Sequence, residues 1–458
     1  MRTLIILADA SRRSLESCLA KCCNNATIAW RLLDFCMDSV YDFHYLYWKN
    51  DESGEITVLS MTARVLQLIR KAKFPPSKAG IASELGVSLS AVSVHIDRLM
   101  QQQLVIVSHV GNSSGGRKPK QYAINNNYGW IVSIELGTSC TQVAITDFVC
   151  NILISKSSIN DINQGPDVVL PHVCQLVEEL LSENSIDPKK VKGIGIGIPG
   201  PVDFHMGTPI APPIMPGWDQ YPIREFWAKH YECPCYVDND VNNMALGEHA
   251  KGLNFEVDNL IYIEIGTGIG SGVIYDGKLY RGSTGSAGDI GHFDVGNDVV
   301  CWCGNKGCLE ANAGGRAVVK HASQYALAGK SDYLSGILTR NGQLTIQDLE
   351  EGLLKLDPVT VELIRQSGTT IGRVIASIVN FANPSLICIG GRLSEFGDIF
   401  LAAIRQGVYQ RSMPLATRNL MINKSILGKQ AGLVGGAYMT IDQLIMGATN
   451  EEIDSYLD

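Results

Sequence analysis

Between Thr62 and Ala72 the apolar residues Val65, Leu66, Leu68 and Ile69 share one side of a 3.6-residue period, and Pro75-Pro76 stops the helix this predicts. Ser77 caps a second helix beginning KAGIASEL, Gly86 permits a tight turn, and Ser88 caps a third helix running to about Gln102. Helices at this spacing predict a helix-turn-helix. On the third, Leu89, Val92, Ile96, Leu99 and Met100 fall in one arc, which leaves Ser90, Ala91, Val94 and Arg98 able to face a nucleic-acid groove. Small hydroxyl and methyl side chains there can approach base edges, while Arg98 can reach phosphate. Leu104–His109 and Gln121–Ile124 read as strands around the basic, glycine-rich turn GNSSGGRKPK. This is a wing, and its Arg117 and Lys118 can enter a minor groove or clamp phosphates.

After Tyr128 strands and helices alternate. Ile131–Leu136 and Gln142–Thr146 predict a hairpin, Pro166–Glu183 a helix, and Val191–Gly197 a buried strand leading into the loop IGIPGPVD. A second strand-rich start, Leu260–Ile265 followed by GTGIGSGVIYDG, echoes the first about 130 residues later, and the chain ends in helical segments with GLVGGAYM. The pattern is mixed α/β with two related lobes.

Composition narrows the picture. With 458 residues, 45% hydrophobic and 18% charged, the chain has material for more than one core. Its apolar runs, such as Leu4–Ala8 and Leu386–Ile389, are far shorter than the roughly 18 residues of a membrane span, so no membrane partner is expected. Thirteen scattered cysteines, three of them clustered, fit a reducing cytoplasm with one metal site and no disulfides. Net charge is -8, yet residues 56–125 hold nine basic and two acidic side chains, a local +7 on an otherwise acidic body. That asymmetry points to double-stranded DNA as the partner of the helix-turn-helix. Residues 1–55, with Cys18, Cys22, Cys23 and Cys36, carry no assignable pattern.

The most specific chemical signal is GHFDVGNDVVCWCGNKGCLE. His292, Cys301, Cys303 and Cys308 offer one nitrogen and three sulfurs to a tetrahedral zinc ion, a closed set with no open position, so the zinc is expected to be structural. The segment resembles the zinc motif of the ROK family, which includes sugar kinases and sugar-responsive repressors. Eight residues separate His292 from Cys301 where relatives commonly have nine. The preceding AGDIGH resembles the family's AGEIGH, with Asp289 a shortened version of its acid. By this resemblance Asp289, His292 and Glu310 contact sugar hydroxyls. VDNDVNNMALGE resembles the sugar-binding and catalytic segment, placing Asn239 and Asp240 at the pocket, and IPGPVD places Gly200 at its edge. PPIMPGWDQYPI resembles the segment that caps the sugar, with Ile214 where relatives often carry Asn. In a kinase Asp240 would be the base that deprotonates the sugar hydroxyl; in a sensor it would only hydrogen-bond it.

The two phosphate loops of the family's kinases differ here. GTGIGSG, with Gly266, Thr267 and Gly268, resembles the second. The first, a DxGGTK pattern, reads Glu135-Leu136-Gly137-Thr138-Ser139-Cys140 and lacks the second glycine and the lysine. The resemblance runs from about Met61 onward. It implies a two-lobed, actin-like (ribonuclease-H-like) sugar kinase fold preceded by a winged helix-turn-helix. The expected domains are residues 56–126 for DNA binding and 127–458 for the sugar, with lobe one over 127–240 plus 431–458 and lobe two over 241–430. The expected function is a repressor whose operator binding is controlled by a sugar effector, acting as a homodimer or homotetramer. The alternative is an ATP- and magnesium-dependent sugar kinase with an added DNA-binding domain, a reading the altered first loop argues against.

Overall fold

Local capping explains the first elements. In the computed structural model, which describes residues 60–110 and 119–447, α1 (Met61–Lys71) buries Ala63, Val65, Leu66 and Ile69. The Ser77 hydroxyl accepts from the Gly80 amide at the start of α2 (Lys78–Leu85), and Gly86, at φ 68°, turns the chain out of it. Ser88 likewise accepts from Ala91 at the start of α3 (Leu89–Gln101). Strands β1 (Val105–Val110) and β2 (Lys120–Ile124) pair antiparallel with Val105 opposite Ile124. The Tyr122 amide donates to the Pro76 carbonyl, tying the hairpin to the helices. Residues 1–55 and the wing tip with Arg117 and Lys118 lie outside the described residues.

The first five-stranded sheet is built from β3 (Trp130–Leu136), β4 (Cys140–Thr146), β5 (Ile152–Ile159), β6 (Val191–Ile198) and β9 (Cys235–Asn239). Helix α4 (Pro166–Glu183) precedes β6, and the two-residue strands β7 (Val202–Asp203) and β8 (Thr208–Pro209) and helix α5 (Ile223–Ala228) precede β9. Then come α6 (Asp240–Gly247), a single π turn over Glu248–Gly252, and the second sheet's β10 (Leu260–Ile265), β11 (Ile269–Tyr275) and β12 (Lys278–Tyr280). Helices α7 (Leu309–Ala313), α8 (Gly315–Leu327), α9 (Asp332–Asn341), α10 (Ile346–Leu354) and α11 (Pro358–Ala382) lead to β13 (Leu386–Gly390). Helices α12 (Asp398–Arg411) and α13 (Pro414–Thr417), strand β14 (Met421–Lys424) and α14 (Ala431–Gly447) close the described chain.

The sheet orders are β5-β4-β3-β6-β9 and β12-β11-β10-β13-β14. Each has an antiparallel meander of three strands extended by two strands parallel to its first. The echo in the sequence is therefore a repeated topology, the two-lobed actin-like fold. The edge strand β5 escapes an apolar-run search because its burial strictly alternates.

Glycines bring the two sheets' helices together. Ile194, Ile196 and Ile198 of β6 enter the core against α4, while Gly193, Gly195 and Gly197 face the other way, toward Thr440, Gly436 and the Asp240–Asn243 turn. Helices α6 and α14 meet backbone to backbone: a Cβ on Gly247 would overlap the Ala431 carbonyl, and one on Gly435 the Asn243 carbonyl. The terminal GLVGGAYM is thus a packing motif. One apolar cluster runs without interruption from Val65, Leu66 and Ile69 of α1 through Ala245 and Leu246 of α6 to Val434 and Ile441 of α14.

Gly435→Ala must force these helices apart and is expected to cost at least the ~1–3 kcal/mol typical of overpacking. Gly336→Ala, on a helix with nothing within 4 Å of the new methyl, should instead be neutral or stabilising by up to about 1 kcal/mol. Urea unfolding of the two variants checks the contrast.

Candidate functional site

Helix α3 presents Ser90 and Val94 to solvent, Val94 at 67% exposure, with Ala91 and Arg98 partly covered. Its Val92, Ile96 and Leu99 are buried, as the period predicts. Leu89 is not: it is 54% exposed. Its helical angle matches the apolar arc, but as the first residue of the helix it stands beyond the elements that cover the later turns. It joins Ser90 and Val94 on the open face. The Ser90 hydroxyl bonds to that of Ser88 at 2.9 Å, and Asp97 pairs with Lys78 at 2.9 Å across the helix-turn-helix. Part of the local basic charge points elsewhere. Arg70 donates to Asp442 at 3.0 Å and to the Tyr438 carbonyl at 2.8 Å, with its guanidinium over the Tyr438 ring, and Lys73 pairs with Glu256. Arg70 thus clamps α1 to the body rather than facing outward, while the Lys73 pair stays exposed.

At the junction of the sheets, the chain reverses from β9 into α6. Asn239 caps α6, its Oδ1 accepting from the Val241 and Asn242 amides, while its Nδ2 donates to the Gly200 carbonyl at 3.2 Å. One side chain thus fixes the IPGPVD loop against the helix that starts with Asp240. Neighbouring Asp238, 1% exposed, is held by Arg281 at 2.7 Å. Burial, followed by the negative charge of Asp238, raises the Asp240 carboxyl to about 7 despite its own bond from the Val241 amide.

The third group gathers around the 3₁₀ turn Ile290–His292. His292 turns Nδ1 toward Cys301 Sγ at 3.7 Å and Nε2 toward Asp289 at 3.9 Å, and Cys303 and Cys308 sulfurs are 3.7 Å apart. All four donor atoms lie within 4.8 Å of one another. Tetrahedral bonds of about 2.3 Å to sulfur and 2.0 Å to nitrogen give donor separations of about 3.6–3.8 Å, so the residues fit a metal ion. Glycines at φ 89° (Gly304) and 77° (Gly307) allow the loop to wrap. Glu310, the next acid after Cys308, accepts from the Ile269 amide at 3.0 Å and from the Trp302 indole. Its carboxylate also occupies the space a side chain on Gly268 would need, joining the metal loop to the GTGIG loop. Gly200, Asn239 and Asp240 thus form one group and Asp289, His292 and Glu310 another.

The ROK family profile matches residues 131–443. The chain belongs to the ROK family. The Xylose repressor of Caldicellulosiruptor bescii is 32% identical over 81% of this chain and 92% of its own length. A solved ROK family transcriptional regulator, a homologue of the E. coli MLC protein, aligns with a TM-score of 0.72 at 27% identity, over 84% of this chain and 96% of that one. A ROK family glucokinase from Streptomyces griseus, solved with glucose and AMPPNP, aligns with a TM-score of 0.62 at 28% identity, over 68% of this chain and 99% of that one. The regulator match is longer than the segment from residue 127 onward, so it reaches into the helices and hairpin before it.

Against the ROK frame, two carboxylates stand out that motif reading did not assign to the site. Glu135 lies opposite Gly197 near the end of β3, and Glu264 opposite Gly390 near the end of β10. They are equivalent positions in the two sheets, and the signal was present in the echo IELGT and IEIGT. Both open onto loops that the resemblance reads as phosphate loops. Glu135 Oε2 is sealed from solvent and has no partner. Burial, then Asp240, raises the Glu135 carboxyl to about 8, and burial, then Asp240, Glu135 and Glu310, raises Glu264 similarly. The junction therefore tends to hold protons at neutral pH.

The sign of the pH effect follows. Well below pH 4.5 Glu135 is protonated in folded and unfolded chains alike; as pH rises through 4.5 toward about 8 only the unfolded chain ionises it readily, so stability is lost across that window. Glu135→Gln should flatten the fall of Tm between those pH values. Parallel wild-type and variant curves would refute the assignment.

Proposed function

We propose that this ROK protein is a sugar-responsive transcriptional repressor, with residues 56–126 binding operator DNA and 127–458 binding the effector. The observation that carries the reading is the clamp between the two: Arg70 of α1 held by Asp442 and Tyr438 of α14. The similarity to a xylose repressor and to a ROK regulator supports it. Ser90, Ala91, Val94 and Arg98 face the major groove, and Arg117 and Lys118 of the wing contact phosphate or the minor groove. Gly200, Asn239, Asp240, Asp289, His292 and Glu310 surround the sugar, where carboxylates accept hydrogen bonds from its hydroxyls. Zinc on His292, Cys301, Cys303 and Cys308 is structural and fixes the ring that turns Nε2 toward Asp289. A homodimer or homotetramer would match a two-fold symmetric operator.

Sugar reaches the DNA-binding helices through α6. Its first residue, Asp240, is at the pocket, its Gly247 meets α14, and the π turn that follows carries buried His249 against Phe255, over which Lys71 of α1 lies. A ligand that pulls on Asn239 and Asp240 moves α6 against α14, and α14 holds Arg70. Operator affinity changes because the ligand binds one arrangement more tightly than the other. Phosphoryl transfer is disfavoured. The first loop, Glu135–Cys140, lacks the second glycine and the lysine of the kinase pattern, which would let a nucleotide's phosphates approach the backbone and meet a cation.

Selection of bound duplexes from a random pool, followed by titration with monosaccharides and phosphorylated sugars, tests this reading. One sugar should lower operator affinity at least about tenfold, a differential of ~1.4 kcal/mol. Arg70→Ala should keep sugar binding and lose most of that response. A chain that selects no sequence, or whose operator affinity no sugar alters, sinks the proposal. Cys303→Ser should lower the zinc content by one ion per chain and reduce Tm, measured by elemental analysis and calorimetry.

A further inference from the structure

We infer that lobe one carries a second metal site, formed by Cys174, Glu178 and His230, that takes a borderline-soft divalent cation such as Zn²⁺. The donor atoms of these residues lie within 4.8 Å of one another, with Cys174 Sγ 3.7 Å from Glu178 Oε1. Cys174 and Glu178 are one turn apart on α4 and so share a face. His230 comes from a different element, just after α5, where its ring packs on Phe226 at 5.0 Å. A thiol, an imidazole and a carboxylate in one place suit zinc, whereas Mg²⁺ and Ca²⁺ prefer oxygen alone.

A second observation points into the same spot. Tyr231 is 7% exposed, and its hydroxyl is sealed from solvent without a hydrogen-bond partner. That hydroxyl lies close to Cys174, Glu178 and Cys233. An orphaned buried hydroxyl carries an uncompensated desolvation cost. With a cation in place it donates to the metal-bound thiolate, or to a water completing the coordination, and the cost is offset. On binding, the Cys174 thiol loses its proton to solvent, the sulfur lone pair forms the metal bond, and the metal's charge is unchanged.

The position gives the ion a structural consequence. Asp167, at the start of α4, accepts from the Tyr221 hydroxyl at 3.0 Å, and Trp218 donates to the Ile162 carbonyl just ahead of that helix. The segment 212–223, which resembles the sugar cap, is therefore anchored at one end of α4. The ion would fasten the chain beyond that segment to the middle of the same helix. Three protein ligands leave a fourth position open, so this ion exchanges more readily than one held by the closed set of three cysteines and His292.

The test uses the full chain. After removal of exchangeable metal with a weak chelator, Zn²⁺ is titrated by calorimetry into wild type, His230→Gln and Glu178→Gln, with circular dichroism to verify folding; both substituted side chains are exposed. Wild type should take up one equivalent more than His230→Gln, and Glu178→Gln should weaken that equivalent at least about tenfold. Co²⁺ in the wild type should show a thiolate-to-metal charge-transfer band that Cys174→Ser removes. Equal uptake by wild type and the two exposed-residue variants overturns the site, whatever the His292 cluster binds.

Discussion

The backbone contact between α6 and α14 is the constraint on which the remaining structure turns. Helices can approach this closely only where side chains are missing, and Gly247, Gly435 and Gly436 remove them. The same need explains a strand that otherwise looks weak. In β6 every second residue is glycine over Gly193–Gly197, a composition that costs conformational entropy. It is tolerated because α14 lies across that face, with Gly436 and Thr440 where side chains would stand. Ser133 of β3 donates to the Leu433 carbonyl at 2.6 Å, securing the helix from the other strand. The C-terminal helix thus belongs to the first sheet while touching α6, which introduces the second.

Much of this was legible in the sequence, for identifiable reasons. The helix-turn-helix could be read because Ser77, Gly86 and Ser88 mark its ends with local capping chemistry that needs no tertiary context. The His292 cluster could be read because three of its four ligands lie within eight residues of one another on one loop. Leu89 could not, since helical angle says nothing about where the covering elements stop. Glu135 and Glu264 were missed for a different reason. Each looks like an ordinary polar position in a strand; the echo of IELGT and IEIGT marks them as equivalent, but the pairing of the two sheets is what shows that both face one junction. The Cys174 group was equally hidden, because His230 is brought to α4 by packing and not by sequence spacing.

The junction's carboxylates act on one another through space. Asp240, Glu135 and Glu264 disfavour one another's ionisation, and burial removes the water that would screen them. Arg281 reaches the same turn and is already engaged by Asp238. The fold is shared with a ROK glucokinase, so the fold by itself does not assign the chemistry.

The basic excess of the N-terminal segment has to be divided before it is read as affinity for DNA. Arg70 and Lys71 close α1 and Lys73 follows it, and their partners are Asp442 and Tyr438 of α14, the Phe255 ring and Glu256. Arg70 is nearly buried, so its pairing is screened less by salt than a surface contact and resists being pulled apart. A helix-turn-helix fastened in this way cannot reorient freely on its linker. Any motion of α14 must carry α1 with it, or break a guanidinium contact that combines an ion pair, a carbonyl bond and a ring face. The charge at Arg70 therefore holds the helix-turn-helix to the body and does not belong to its outward-facing excess.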